Sequence, residues 1–471
     1  MIKQVKKYNG KDSVVYIVSD VCSEQIESLK LSEDECNYVN GKLARENFAM
    51  LNLFDRFKFF VFFNPDNNIY SEREQVRKAG CKISDKLNAE KLSVLNIVDF
   101  SGCDMDLAMA EGVELSNYRF NKYKENKKEV SLTDIKIVAE NKNVEIEKLN
   151  ALVRGVFYAR DITNEPLSYM TAQKLSEEVE LIGKKCGFKT EILSKKQIES
   201  LKMGGLLAVN RGSVEPPTFS ILKWEPENAI NENPYVLVGK GLVFDTGGYN
   251  LKPTSSMSTM KSDKAGGAAV VGTIAALALA KLPVKVYGLI PATENRIGAT
   301  AYVPEDIITM FDGTTVEINN TDAEGRLILA DALSYAKKFE PKLVIDMATL
   351  TGAAISAVGE KNTAILGTES DEIAKMKKCG FYVWERAIEL PLWSDFADLL
   401  KSTVADMKNS GGRSAGTISA AMFLKHFTDY PWIHLDIAGP AFVESKDSYR
   451  GNGATAVPTR MLFKYFEGLT D

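Results

Sequence analysis

Histidine is nearly missing from this 471-residue chain, which holds only His426 and His434. A three-histidine zinc site is therefore impossible, and no HExxH helix is present to supply two imidazoles and a glutamate base. Any bound metal must be held mainly by oxygen ligands. A Ser-His-Asp arrangement survives the count, but no GxSxG elbow occurs and neither histidine stands near an evident nucleophile. Cysteine is sparse as well. Cys22, Cys36, Cys81, Cys103, Cys186 and Cys379 are scattered without a CxxC pair, which frames neither a disulfide scaffold nor a zinc finger and leaves ordinary reduced thiols as the expectation. No sign of charge dominates. Fifty-eight Lys and Arg against 63 Asp and Glu give a net charge of -5, so there is no global electrostatic case for nucleic acid or an anionic membrane as a partner. The longest apolar stretch, Ala268 to Ala280, is interrupted by Gly272 and Thr273 and falls short of the roughly 20 residues that span a bilayer. Lys3, Lys6 and Lys7 are followed only by the apolar run Val14 to Val18, shorter than a secretory core of about 7 to 15 residues, which makes the cytoplasm the expected location.

What is present reads as a folded α/β protein. Hydrophobic residues make up 45% and charged residues 26%, close to the globular average, and the length predicts about two or three folding units. No repeat of fixed period appears. From Met1 to about Val144, short apolar runs (Val14 to Val18, Phe57 to Phe63) alternate with charged helical stretches such as Glu74 to Lys78, predicting a smaller N-terminal α/β accessory domain over residues 1–144. Leu149, Leu152, Val153, Val156, Phe157 and Tyr158 recur at helical spacing before Pro166, predicting a connecting helix over 145–165. In residues 166–471, strand-like runs (Gly205 to Val209, Phe219 to Lys223, Tyr235 to Val238, Val284 to Leu289, Leu343 to Met347, Trp432 to Ile437) alternate with helical ones (Thr171 to Lys185, Gly266 to Lys281, Leu327 to Lys338, Ile418 to His426). This predicts a larger catalytic domain with a mixed, mostly parallel sheet flanked by helices, and such sheets carry their sites at strand ends.

Two segments stand out chemically. Val238 to Ala269 begins as a buried strand and ends as a helix; between them stand Lys240, Asp245, Lys252 and Asp263 among Gly239, Gly241, Gly247 and Gly248. Taken alone it also reads as a glycine-rich turn with Lys-Asp surface pairs of about 0 to 1 kcal/mol each. Neither a P-loop nor a GxGxxG pattern is present. Asn320 to Leu327, NTDAEGRL, follows an extended run at Thr314 to Ile318 and precedes an Ala/Leu-rich helix. If extended, it points Asp322, Glu324 and Arg326 to one side; the competing reading is helix capping with a surface arginine. Together the segments offer four carboxylates, Asp245, Asp263, Asp322 and Glu324, which cannot crowd into a protected cleft without cations. Two divalent ions would neutralise them, activate a water and polarise a carbonyl without histidine. One lysine can then coordinate metal as a neutral amine, and a charged one can stabilise an oxyanion.

NTDAEGRL resembles the signature of the cytosol (leucyl) aminopeptidases, a family of two-metal peptidases. Val238 to Asp263 is similar to the same family's VGKGxxFDxGGxxxK followed by Asp, and similarity continues through Ala159 to Pro166, Pro291 to Asn295, Asp346 to Ala353, Ser414 to Phe427 and His434 to Phe442. The N-terminal region carries no matching motif. The resemblance implies that Lys240, Asp245, Asp263 and Glu324 bind one metal and Asp245, Asp322 and Glu324 the other. It implies that Lys252 is catalytic, that Arg326 with Gly325 and Leu350 backbone groups holds a bicarbonate acting as base, and that Met260, Thr349 and Gly352 border the pocket for the first side chain. Zinc or manganese is implied, with cobalt and magnesium compatible, together with a homohexamer and release of N-terminal residues, leucine and other apolar ones among them, from short peptides.

Three positions depart from the family pattern. Lys264 follows the metal-binding Asp where a methionine is common, and is expected to face solvent; Ala456 and Pro458 stand where a glycine-rich turn is expected. His426 and His434 read as structural. Two other classes compete with the peptidase reading. A DNA-binding or interaction role carried by the N-terminal domain would show as salt-sensitive binding indifferent to Lys252, and a two-metal phosphoesterase would cleave a phosphate ester in preference to a dipeptide.

Overall fold

A computed structural model describes residues 1–19, 26, 29–127 and 129–470; Cys22 lies outside them. The chain divides into two compact units, Met1–Val153 with Ser445–Asn452, and Arg154–Glu444 with Gly453–Asp471. The helix Asn143–Asn164 runs across that boundary.

In the first unit, β1 (Ile2–Val5), β2 (Ser13–Val18), β3 (Phe48–Asn52), β4 (Phe57–Phe62), β5 (Val94–Asp99) and β6 (Asp134–Val138) form one sheet in the order β1-β6-β5-β2-β4-β3. All neighbours are parallel except β3 and β4. The strand SVVYIV of β2 is buried throughout, as expected of a parallel strand covered on both faces. The helices Ile69–Ala89 and Asp106–Ser116 pack so closely that a side chain on Gly112 would stand 2.2 Å from the Arg77 carbonyl. Their interface buries charge: Arg77 Nε donates to Glu111 Oε2 at 2.5 Å. Tyr449 and Arg450, from the Ser445–Asn452 segment, donate to Glu74 at 2.7 and 3.2 Å.

The second unit is built on β7 (Lys189–Leu193), β8 (Thr218–Trp224), β9 (Tyr235–Gly239), β10 (Gly241–Asp245), β11 (Val286–Asn295), β12 (Ile307–Thr309), β13 (Thr315–Glu317), β14 (Leu343–Ala348), β15 (Thr363–Gly367), β16 (Ala387–Glu389), β17 (Met407–Lys408) and β18 (Trp432–Asp436). Nine of these form the main sheet in the order β16-β15-β18-β14-β9-β11-β8-β7, with β10 paired to β11, while β12, β13 and β17 form a small separate sheet. The centre is parallel (β18-β14-β9-β11), and antiparallel pairs lie toward the edges. The expected mixed α/β architecture is what folds. The helix Ala265–Leu279, AGGAAVVGTIAALAL, is buried from Ala265 to Ala278, because a helix apolar on every side must be surrounded.

One expected strand is a helix. Gly204–Asn210 is helical, and its tight seat explains why: a side chain on Gly205 would stand 2.5 Å from the Leu327 carbonyl, and Leu206 N donates to the Asp331 carboxylate at 2.9 Å. A short buried apolar run has no period that separates strand from helix. No helix among the described residues is long and apolar enough to cross a membrane.

Candidate metal centre

The site gathers at the C-terminal ends of the central parallel strands, where open α/β sheets leave a crevice. Lys240 occupies the one-residue gap between β9 and β10, with its N–H donating to Met347 O of β14 at 3.1 Å. Asp245 ends β10. The chain then turns through Gly247, whose φ of +86° favours glycine, and returns Lys252 N to donate to Thr246 O at 3.0 Å. Asp263 lies in the 3-10 turn Met260–Lys264 just before the buried helix Ala265–Leu279.

The NTDAEGRL segment is not extended. Asn320 Oδ1 accepts from Asp322 N at 2.9 Å, closing a turn, and the helix Glu324–Ala336 starts immediately after. Asp322 and Glu324 therefore converge through a turn and a helix start rather than through strand alternation. No side chain caps this helix, so its first N–H groups and its dipole favour negative charge there. Gly325 leaves room for a neighbour: a side chain on it would stand 2.6 Å from Lys240 Nζ.

Two lysines meet four carboxylates here. Lys240 Nζ lies 2.9 Å from Asp263 Oδ2 and 2.8 Å from Glu324 Oε1, and donates to Thr349 O at 3.2 Å. Lys252 Nζ lies 2.7 Å from Asp245 Oδ2 and 2.6 Å from Asp322 Oδ1. One oxygen each from Asp245, Asp322 and Glu324 falls within 4.8 Å of the others. Lys240, Asp245, Asp263 and Glu324 are all buried.

The electrostatics reveal a deficit of positive charge. Burial, then the charges of Glu324 and Asp263, push Asp245 up to about 8. Burial, then Glu324, raises Asp322, and burial raises Asp263 against the pull of Lys240. For Glu324 burial acts upward too, but Lys240 and Lys252 outweigh it and hold the carboxyl below its ordinary range. Desolvation disfavours both ammonium groups, yet the surrounding carboxylates keep them well above the usual lysine value. Glu324 Oε2 is buried with no hydrogen-bond partner, and Asp263 Oδ2 and Asp322 Oδ1 are buried with only the Lys240 and Lys252 ammonium groups beside them. Hard oxygen donors that are buried, underbonded and undercompensated fit divalent cations.

Arg326 is buried, donates from Nη1 to Asn409 O at 2.7 Å and has no acceptor for Nε; burial pulls it down to about 10. A free donor on a buried guanidinium suits an anion. Leu350 N, however, already donates to Asp436 Oδ1 at 3.1 Å. Thr349 Oγ1 donates to Asp263 Oδ1 at 2.6 Å, which ties it to the acidic cluster. Met260 opens the turn that carries Asp263, and Gly352 opens a helix three residues after Thr349. A cleft of about 500 Å³ opens beside Asp322, lined by Asn250, Asn320 and Ser410 among others.

Lys264 does not face solvent. It is fully buried, and its ammonium donates to the carbonyls of Glu165 at 2.8 Å and Lys261 at 2.6 Å. The departure at Ala456 has a local counterpart, since Ala456 takes a φ of +71°, the region that glycine favours. His434 Nδ1 lies 2.5 Å from Asp346 Oδ1 in the core, and His426 is exposed at a helix end. Cys36, Cys81, Cys103, Cys186 and Cys379 are unpaired.

Asn409 had no signal in the sequence. Its Oδ1 accepts from Asn319 N at 3.0 Å and Asn320 N at 3.3 Å, its Nδ2 donates to Asn320 O at 2.7 Å, and its carbonyl receives Arg326. Asp436, within the His434 to Phe442 stretch, fixes the Leu350 loop by accepting from Leu350 N and, at 2.7 Å, from Thr351 Oγ1.

The catalytic-domain model of the cytosol aminopeptidase family matches residues 157–463. A probable cytosol aminopeptidase of Chloroherpeton thalassium is 49% identical over 338 residues, 71% of this chain and 65% of that protein. One from Clostridium perfringens is 39% identical over 407 residues, 83% of each chain. Among solved structures, the bottromycin maturation enzyme BotP in complex with Mn superposes with a TM-score of 0.87 at 29% identity, covering 98% of this chain and 100% of the other. A point variant of tomato leucine aminopeptidase gives a TM-score of 0.86 at 26% identity, covering 99% and 96%.

Proposed function

The chain belongs to the cytosol aminopeptidase family and is a metal-dependent aminopeptidase, and on that premise we propose how its residues do the work and on what. Short peptides are the substrates, cleaved after a first residue that is leucine or another apolar one. Two divalent cations, zinc or manganese with cobalt or magnesium compatible, would be held by Lys240, which must give up its ammonium proton to act as a ligand, with Asp245, Asp263 and Glu324, and by Asp245, Asp322 and Glu324. The observation that carries this reading is the convergence of buried carboxylate oxygens, three of them within 4.8 Å, on a centre with too little positive charge.

When bound, such ions lower the pKa of a water and polarise a carbonyl, and a bicarbonate supplies a base for the water's proton. The chain's own groups do the rest. Lys252 Nζ, on a glycine-rich loop and only partly exposed, faces the carboxylates at the place where an oxyanion would develop, and a charged donor there stabilises the tetrahedral state. Arg326 and the uncapped helix start at Gly325 hold the bicarbonate. Leu350 borders that anion with its own N–H committed to Asp436. Met260, Thr349 and Gly352 flank the first side chain of the substrate. The acidic cluster favours a substrate that brings a free α-amine into it, which selects chain ends over internal bonds.

Residues 1–144 act as an accessory domain, 145–165 as the connecting helix and 166–471 as the catalytic domain. We also propose a cytoplasmic homohexamer, supported by the family resemblance and by the exposed apolar side chains of Phe381, Ile388 and Trp393. Sedimentation of the full chain tests the assembly. The test of the activity is a panel of amino-acid amides with their N-acetylated counterparts, after metal removal and restoration of each ion separately. Leucine amide should be cleaved and its acetylated form spared; equal cleavage of both would reject the reading.

A further inference from the structure

We infer that Asn295 is a positioning residue for the metal centre, its side-chain amide tying the two carboxylate-bearing segments together and dictating which oxygen of Asp245 faces the cations. The inference rests on the metal-centre reading above. Asn295 ends β11 and is the register partner of Asp245 at the end of β10. It is fully buried. Its Nδ2 donates to Asp245 Oδ1 at 2.9 Å and to Thr321 O at 3.0 Å, so one amide group bonds both the first carboxylate and the residue just before Asp322. Its own carbonyl accepts from Thr246 N at 3.0 Å and Thr246 Oγ1 at 2.9 Å, which fastens the turn leaving Asp245.

The consequence for Asp245 is asymmetric. Oδ1 accepts from Asn295 Nδ2 and from Gly247 N at 2.8 Å, whereas Oδ2 is left to Lys252 at 2.7 Å. A carboxylate with one oxygen held by two fixed N–H donors has only the other free to meet a cation, and such outer partners orient metal ligands. The amide orientation follows from chemistry: the opposite one would set Oδ1 against a carboxylate and a carbonyl, two acceptors. Tyr302 provides an internal contrast. Its hydroxyl donates to the same Thr321 O at 2.7 Å, and so supports the second segment rather than Asp245.

The experiment is titration of metal-stripped full-length protein with Mn²⁺ against a chromogenic chelator, comparing wild type, Asn295→Leu and Tyr302→Phe, with melting of each metal-free protein recorded alongside. Asn295→Leu keeps the volume and removes both donors. Mn²⁺ affinity is expected to fall about 10- to 100-fold in Asn295→Leu, with the loss in Tyr302→Phe at least tenfold smaller. Wild-type affinity in Asn295→Leu, or an equal loss in both variants, overturns the inference while the metal-centre reading stands. Absence of Mn²⁺ binding by the wild type overturns that reading and the inference with it. Should Asn295→Leu lack a cooperative melt, Asn295→Ser carries the same comparison with the same outcomes.

Discussion

Lys252 Nζ lies 2.6 Å from Asp322 Oδ1, so an ammonium from the glycine-rich loop meets a carboxylate from the NTDAEGRL turn at the centre of the acidic cluster. Were divalent cations to take over Asp245 and Asp322, the Lys252 ammonium would be free to face the substrate. Lys252→Met should lower kcat by about 10²- to 10³-fold, the cost of one oxyanion donor, while Mn²⁺ still binds. Steady-state kinetics with a direct metal titration checks both, and near-normal kcat would reject the role.

Glu324 sits where both proposed ion positions overlap, with Oε1 against Lys240 and Oε2 lacking a donor. Glu324→Gln keeps the shape and removes the charge. Mn²⁺ affinity should drop by more than about 100-fold, beyond the range typical of a residue outside the coordination sphere. Affinity within a few-fold of wild type would show that Glu324 is not a ligand.

Much of this site was legible because its chemistry is written in short local strings. Lys240, Asp245, Lys252 and Asp263 share one glycine-rich stretch, and Asp322, Glu324 and Arg326 share another, so the sequence displayed the charges together, whereas their roles came only from the family resemblance. The parallel centre of the sheet was legible too, since β9 is a continuous apolar run and β14 one broken only by Asp346, both buried throughout. What escaped depends on partners far along the chain. Asn409 looks like any loop asparagine until it meets Asn319, Asn320 and Arg326. Lys264 reads as a surface charge because nothing local reveals that the Glu165 and Lys261 carbonyls await it in the core. The Gly204–Asn210 helix passed for a strand because its decisive contact is the distant Asp331.

Asp331 also sets a pH dependence. Its buried carboxylate accepts from Leu206 N at 2.9 Å and Phe311 N at 2.9 Å. Burial pushes it up to about 7, with Asp312 adding to the rise, although N–H groups of Leu206, Phe311 and Gly205 act downward. Between its ordinary value and about pH 7 the folded state therefore binds more protons than the unfolded chain. This group's contribution to stability falls as pH rises through that window and levels off above it, with a slope of at most about 1.4 kcal/mol per pH unit. Denaturant unfolding at pH 5 to 8 should show a smaller slope in Asp331→Asn, and an unchanged slope would contradict the assignment.

In the first unit, Tyr449 donates to buried Glu74 at 2.7 Å. Tyr449→Phe removes a hydrogen bond to a charged group and should cost about 1.5 to 3 kcal/mol in the unfolding transition of that unit. Wild-type stability in chemical denaturation of the full chain would show that Arg450, 3.2 Å from the same carboxylate, suffices.

The most direct measurement is leucine-amide hydrolysis by the full chain, with bound metal quantified, before chelation, after it, and after Mn²⁺ or Zn²⁺ is returned. Activity should vanish as the metal leaves and recover with it, and Asp322→Asn should fail to recover. Undiminished turnover by a chain shown to be free of metal would contradict the account.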